Sequence, residues 1–153
     1  MSTPAAARIA YDRFAAALRP LIRMHTAIDE AGLDQHVVEL VRIRASQLNG
    51  CAYCLQMHTT DARAAGESDE RLHLLAAWRE ASVFDARERA ALAMTEAVTT
   101  LAGGVPDDVL DACDAVFSDD EVHALLFAVV EINAWNRLNV ASRKPLGGPG
   151  AAA

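Results

Sequence analysis

The chain has 153 residues and a mass of 16.4 kDa, a size that suits one hydrophobic core and excludes two independently folded catalytic domains. Hydrophobic residues make up 52% and charged residues 23%, which excludes disordered and fibrous classes. With Lys+Arg 14 against Asp+Glu 21, the net charge is -7, so the surface is not built to neutralise phosphates and nucleic acid is not an expected partner.

Aromatic residues are only 5% while Ala recurs throughout, a balance that favours closely packed helices over strands. The expected fold class is all-α, a helical bundle. From Tyr11 to Ile28, apolar Phe14, Leu18, Leu21, Ile22 and Ile28 recur at roughly helical spacing, and Pro20 is expected to bend the segment or split it in two. Asp34 is the expected N-cap of a helix running to about Gln47, with Val37, Leu40, Val41 and Leu48 on its apolar face and Arg42 and Arg44 on the opposite one. Asn49-Gly50 ends it. The next helix begins at Gly50 or Cys51 and runs to about Ala65, closed by Gly66.

Ser68 then caps an expected helix over Asp69–Glu80. Asp85 starts another, with Ala90, Leu92, Ala93, Ala97, Val98 and Leu101 on the core face and Arg87, Glu88 and Glu96 in water, and it stops at Gly103-Gly104. Val105-Pro106-Asp107-Asp108 leads into Val109–Phe117, and Ser118-Asp119-Asp120-Glu121 opens a last long helix reaching Ser142. Residues 1–144 thus read as the helical domain. Residues 145–153, rich in Gly, Pro and Ala, have nothing to bury and read as a disordered tail. The longest apolar run, Ala124–Val130, is far short of the ~20 residues of a membrane span, and no secretory signal is visible near Met1. The expected location is cytoplasmic, with no membrane partner.

Cys51, Cys54 and His58 stand at offsets of three and seven residues, so two thiols and an imidazole share one helix face. A thiol reacts as its thiolate, and two causes lower a thiol's pKa here: the helix N-terminus beside Cys51 and the imidazole one turn from Cys54. A second thiol one turn away gives an oxidised sulfur a resolving partner, which makes reversible oxidation the sharp reading. Packing alone is the bland one. The same three residues are zinc-ligand types, but a fourth ligand is missing, since Cys113 and His73 lie on other expected helices; no metal is expected. Cys113 reads as inert, and His25, His36, His73 and His123 as surface or satisfied core histidines. Trp78 and Trp135 read as core or subunit-contact anchors.

Glu39, Ser46, Asn49, Cys51, Tyr53, Cys54 and His58 together resemble the signature of AhpD-like alkylhydroperoxidases, within the carboxymuconolactone decarboxylase superfamily. The family pattern is a Glu twelve residues before a CxxC, with a His four residues after the second Cys, and each element is matched. Glu88-Arg89-Ala90-Ala91-Leu92, Thr95-Glu96-Ala97-Val98-Thr99 and Asn133-Ala134-Trp135-Asn136-Arg137 are similar to further family segments, so the resemblance covers most of residues 30–143.

The resemblance implies an all-helical fold assembled as a homo-oligomer, a trimer or hexamer. It also implies a thiol-dependent peroxidase that reduces organic hydroperoxides, with no cofactor beyond the redox-active Cys51–Cys54 pair and an external dithiol reductant of lipoyl type. The roles carried over are Cys54 as attacking thiolate, Cys51 as resolving thiol, His58 as base and Glu39 as proton relay. By the helix-dipole argument the lower pKa falls to Cys51, whereas the adjacent imidazole, weighted more, favours Cys54. Tyr53 is a candidate substrate-binding residue and Ser46 a candidate donor near the thiols. Read without the resemblance, Glu39 forms a surface i,i+3 pair with Arg42. The alternative functions are a thiol-disulfide relay or redox sensor without fast peroxide turnover, and a non-redox decarboxylase-like enzyme that uses Glu39 and His58 for acid-base work.

Overall fold

Short polar side chains set most helix starts in this chain, because each accepts a backbone N–H that the first helical turn leaves free. A computed structural model of the chain describes residues 6–147. Among these residues there are seven α-helices and no strand: α1 Ala15–Glu30, α2 Gln35–Leu48, α3 Ala52–Ala64, α4 Asp69–Leu74, α5 Ala86–Thr100, α6 Asp107–Asp114 and α7 Asp119–Ser142. Asp34 and Ser68 cap α2 and α4, and Asp85 with Glu88 and Ser118 with Glu121 close reciprocal capping boxes on α5 and α7.

Helix α2 is the axis of the molecule. It packs against α3, α5 and α7, while α1 lies along α7 and α6 along α5. Val37, Val38, Val41, Ala90, Met94, Leu125 and Val129 form one core between α2, α5 and α7; Leu40, Ile43, Leu75, Trp78 and Leu92 form a second on the far side of α2. Contact on three sides leaves α2 exposed only at its ends, which corrects the expected division of its residues: Arg42 is only 3% exposed, whereas Leu48 at its end is 40% exposed.

Four other expectations change. Pro20 lies inside α1 without splitting it, forgoing the one backbone bond that its missing N–H would make, and a 3-10 turn over Tyr11–Phe14 precedes the helix. The segment expected as Asp69–Glu80 stops being α-helical at Leu74 and continues as a 3-10 turn over Leu75–Ala77. The carbonyls released there have a partner, because the Arg89 guanidinium donates to the oxygens of Trp78, Arg79 and Ala81 at 3.0, 2.9 and 3.1 Å. Helix α6 starts two residues earlier than expected and ends at Asp114. Leu101, expected on the core face of α5, is instead its left-handed C-cap and 60% exposed.

Of the expected tail, Pro145–Gly147 is described and held: Gly147 N–H donates to Gln56 Oε1 at 3.0 Å and Gln56 Nε2 returns a bond to Gly147 O at 3.1 Å. The remainder of that expectation, residues 148–153, lies outside the described residues. Among the described residues no helix is long and apolar enough to cross a membrane.

Candidate active site

The turn between α2 and α3 places the thiols. Cys51 N–H donates to Ser46 O at 3.0 Å and Gly50 N–H to Gln47 O at 3.3 Å, a paired C-terminal closure of α2 that requires Gly50 at φ +64°. The residue that completes this closure, Cys51, is also the N-cap of α3, in extended backbone and without a regular side-chain capping bond. One residue therefore serves as the end of one helix and the start of the next. Cys54 follows on the first turn of α3 and His58 one turn later.

Helix α7 supports the pair through its asparagines. Asn136 Nδ2 donates to Ser46 Oγ at 3.0 Å, and Asn49 Nδ2 donates to Asn133 Oδ1 and Asn136 Oδ1, each at 2.9 Å. Ser46 and Asn49 thus fasten α7 beneath the thiols, and Ser46 itself donates to Arg42 O at 2.7 Å. Asn139 Nδ2 donates to Cys54 Sγ at 3.2 Å.

Both sulfurs are buried, each residue 1% exposed, and both are free thiols. The Cys54 thiol donates toward Cys51, and this contact, opposed by burial and helped by the backbone N–H of Cys54, the Asn136 amide and the backbone N–H of Tyr53, lowers the Cys51 thiol to about 6. The same contact with Cys51, together with burial, pushes Cys54 upward, while Asn139 opposes that push. The Cys54 thiol first, and the backbone N–H groups at the α3 N-terminus after it, rather than the imidazole, are therefore what acidify Cys51. His58 is not a hydrogen-bond partner of either sulfur, which corrects the greater weight given to it. Yet Cys54, and not Cys51, lines the cavity beside the pair.

That cavity, about 440 Å³, brings Cys54 together with His58, Glu39, Tyr53, Trp135 and Arg42. His58 Nδ1 lies 3.0 Å from Glu39 Oε2, which leaves Nε2 for the cavity. Arg42 Nη1 donates to Glu39 Oε1 at 2.9 Å. Burial alone raises the Glu39 carboxyl, but the His58 hydrogen bond and the charges of His58 and Arg42 outweigh it and hold the group below its ordinary value. The i,i+3 pair with Arg42 is real, but it is buried and shared with His58 rather than a surface contact.

Sequence reasoning missed the continuation of this network. Arg42 Nη2 reaches Asp29 Oδ1 and His25 Nδ1, each at 3.1 Å, and His25 Nδ1 lies 3.2 Å from Glu131 Oε1, a carboxylate 1% exposed. The Glu131 hydrogen bond is the chief reason His25 is held above its ordinary value. His25 is thus a wall of the cavity rather than an isolated surface or core histidine, and Trp135 lines the cavity too. The available signal was four ionisable residues on three separate helices; only their tertiary meeting makes them a cluster. His36 lines a smaller neighbouring cavity, while Cys113 is buried, its thiol near Ala90 O at 3.6 Å and raised to about 11 by burial and Asp114.

Among the described residues, the set able to offer a cation three ligand atoms within 4.8 Å of one another is Glu39, His58 and Asp61. The Cys51, Cys54 and His58 combination considered from sequence is not brought within such reach. The Glu39 and His58 atoms already share a hydrogen bond, and Asp61 is exposed.

A helical pair bearing a buried dithiol, with a Glu–His hydrogen bond across one cavity, is the geometry the signature residues imply. Residues 7–97 match the carboxymuconolactone decarboxylase family. The chain belongs to that family. This AhpD-like member is 33% identical over 125 residues to the uncharacterised protein YdfG of Bacillus subtilis, covering 81% of this chain and 85% of that one. It superposes with a TM-score of 0.89 and 34% identity on a protein of unknown function from Agrobacterium tumefaciens, named as a candidate AhpD antioxidant defence protein, covering 94% of this chain and 99% of that one. The fold is also shared, at 17% identity and a TM-score of 0.76, with the debrominase Bmp8, covering 84% of this chain and 70% of that one.

Proposed function

We propose that this AhpD-like protein is a thiol-dependent peroxidase that reduces organic hydroperoxides by a Cys51–Cys54 dithiol/disulfide cycle, needing no bound cofactor. The observation that carries the reading is the cavity in which the Cys54 sulfur, backed by Cys51, faces the Glu39–His58 pair. The naming of the Agrobacterium tumefaciens relative for antioxidant defence supports it.

In this cycle the pair loses one proton to His58 Nε2, relayed by water in the cavity because neither sulfur is bonded to the imidazole, while Glu39 holds Nδ1. The Cys54 thiolate attacks one peroxide oxygen and the O–O bond breaks. The leaving alkoxide takes the proton from His58 Nε2 and departs as the alcohol, so that Cys54 becomes a sulfenic acid. Cys51 then gives its proton to His58 and attacks the Cys54 sulfur; hydroxide leaves, recovers that proton and departs as water. The peroxide has been reduced by two electrons and the dithiol oxidised by two. An external dithiol, of lipoyl type by family resemblance, returns two electrons and two protons. Tyr53 and Trp135 supply apolar cavity wall for the organic part of the substrate.

Assembly as a homo-oligomer is part of the proposal. Leu126, Phe127 and Val130 leave an apolar stripe exposed on α7, which supports packing against another copy. Light scattering tests it, and a monomer contradicts it.

The test of the activity is intact-mass spectrometry with thiol counting on reduced protein, before and after one equivalent of cumene hydroperoxide. Wild type is expected to lose two titratable thiols and Cys51→Ser to trap a sulfenic acid on Cys54. Thiols that survive peroxide but close with an oxidised dithiol would make the protein a disulfide relay. Activity left intact by Cys51→Ser and Cys54→Ser would instead favour the decarboxylase-like alternative.

A further inference from the structure

The two ends of the described chain meet beside the thiol pair, and the side chains they bring form a hydrogen-bond series that ends on sulfur. Lys144 Nζ donates to Tyr11 Oη at 3.1 Å, Tyr11 Oη donates to Asn139 Oδ1 at 2.6 Å, and Asn139 Nδ2 donates to Cys54 Sγ at 3.2 Å. The direction of this series is forced by chemistry. An ammonium has donors and no acceptor, so the tyrosine oxygen accepts from it and its own proton points onward. That proton selects the amide oxygen of Asn139, and the amide N–H groups are thereby turned toward Cys54. Each bond polarises the next, and the charge at the head of the series strengthens the donor at its end.

The backbone holds both ends in place. Arg8 N–H and Ile9 N–H donate to Ser142 O at 2.7 and 3.3 Å, and Lys144 N–H donates to Asn139 O at 2.9 Å. Lys144 Nζ lies 4.1 Å from the centroid of the Tyr53 ring and 5.5 Å from that of Tyr11, and none of the ion pairs among the described residues involves it. Its charge is directed at phenol rings and a phenol oxygen instead of a carboxylate. Tyr11, Tyr53, Asn139 and Lys144 all line the cavity that Cys54 faces.

The hydrogen bond from the Cys54 thiol and the backbone N–H groups of the α3 N-terminus draw the charge of the pair toward Cys51, which does not line the cavity. A second influence is needed for the sulfur that peroxide can reach. We propose that Lys144 and Tyr11 are positioning residues that, through Asn139, stabilise negative charge on Cys54 when the proton shared by the pair passes to Cys51. The proposal deepens the peroxidase reading and rests on its assignment of Cys54 as the reacting sulfur. The other groups around Cys54 are accounted for. Cys51 and Asn136 contact the pair from the α2–α3 junction and α7. Glu39 and His58, on α2 and α3, are bonded to each other across the cavity. Asp29 and His25 on α1 and Glu131 on α7 are engaged with Arg42 or one another, and Asp61 on α3 is exposed.

The experiment uses no peroxide, so its outcome is separate from that of the turnover assay. Reduced wild type, Tyr11→Phe, Lys144→Met and Lys144→Arg are alkylated with iodoacetamide across a pH series, and the label on Cys51 and Cys54 is quantified by peptide mass spectrometry. Tyr11→Phe and Lys144→Met are expected to raise the midpoint of Cys54 alkylation by about 0.5–1 pH unit and to move label from Cys54 to Cys51. Lys144→Arg, which keeps the cation, retains the wild-type profile. Folded Tyr11→Phe and Lys144→Met proteins with the wild-type midpoint and site ratio overturn the proposal, whatever their melting temperatures. A shift in Lys144→Arg as large as that in Lys144→Met also overturns it, because the charge would then not be the cause.

Discussion

His58 Nδ1 lies 3.0 Å from Glu39 Oε2, a single hydrogen bond that joins α3 to α2 at the wall of the thiol cavity. Arg42 takes the other carboxylate oxygen at 2.9 Å, so Glu39 is fixed at both oxygens and in turn fixes the imidazole. Glu39→Gln keeps the shape but removes the carboxylate charge that faces His58 Nδ1. Reduction of cumene hydroperoxide is expected to slow by ~10²-fold or more, the scale of general acid-base catalysis. Iodoacetamide should still label the thiols. Stopped-flow kinetics beside far-UV circular dichroism check this, and a folded variant at the wild-type rate would remove Glu39 from the reaction.

Local chemistry made much of this arrangement legible. Asp34, Ser68, Asp85 and Ser118 all cap the helices expected of them, and Gly50 and Gly66 both close helices at positive φ. The Glu39, Cys54 and His58 side chains meet as their family spacing implies. What local pattern could not show was Arg42 underground. An arginine between apolar residues reads as a wet face until Asp29 from α1 and Glu131 from α7 arrive to neutralise it. The Tyr11–Asn139 contact spans 128 positions in sequence, and no periodicity within either segment encodes it. Helix α4 ended early by tightening into the 3-10 turn over Leu75–Ala77, and Arg89, on a later helix, takes the carbonyls of Trp78, Arg79 and Ala81 that follow, a contact no local pattern marks.

The thiol pair should give stability a characteristic pH dependence. Cys51 is lowered to about 6 from an ordinary value of 9.0, so between those limits the unfolded chain carries both thiol protons and the native pair only one. Stability from the pair therefore rises with pH through this window and is lost as pH falls through 6. Above 9.0 the sign reverses, because Cys54 is held above its ordinary value and the native pair keeps a proton that the unfolded chain has released. The difference in melting temperature between reduced wild type and the Cys51→Ser/Cys54→Ser protein is expected to peak near pH 9. A difference that is flat with pH would contradict the acidified pair.

Arg42 Nε and Glu131 Oε2 stand 3.9 Å apart, and each lacks a hydrogen-bond partner. Both residues are nonetheless buried, and Glu131 depends on the Arg42 charge, whereas Arg42 also holds Glu39 and Asp29. Arg42→Met leaves the buried Glu131 without its cation and is expected to cost about 3–5 kcal/mol, with Glu131→Leu, after which Arg42 keeps Glu39 and Asp29, destabilising less. The double variant should cost less than the two together, with a coupling of roughly 0.5–3 kcal/mol by urea denaturation. Glu131→Leu should also lower the His25 titration midpoint in NMR, since the Glu131 hydrogen bond is what chiefly raises it. Additive costs and an unmoved His25 would refute the network.

Gly50 separates the cost of the α2–α3 turn from the chemistry it positions. Its φ of +64° lies in the left-handed region, and a Cβ built on it meets nothing within 4 Å. Gly50→Ala therefore introduces no clash, and its penalty is the backbone preference alone, about 1–2 kcal/mol. For a chain of this length that is a fall of roughly 2–8 °C in melting temperature, at about 2–4 °C per kcal/mol. The Cys51 N–H bond to Ser46 O and the asparagine contacts from α7 hold the sulfurs independently of the side chain at position 50, so the alkylation ratio of Cys51 to Cys54 should match wild type. If Gly50→Ala folds but its Cys51-to-Cys54 alkylation ratio departs from wild type, the turn sets the sulfur geometry directly and the α7 contacts only follow it.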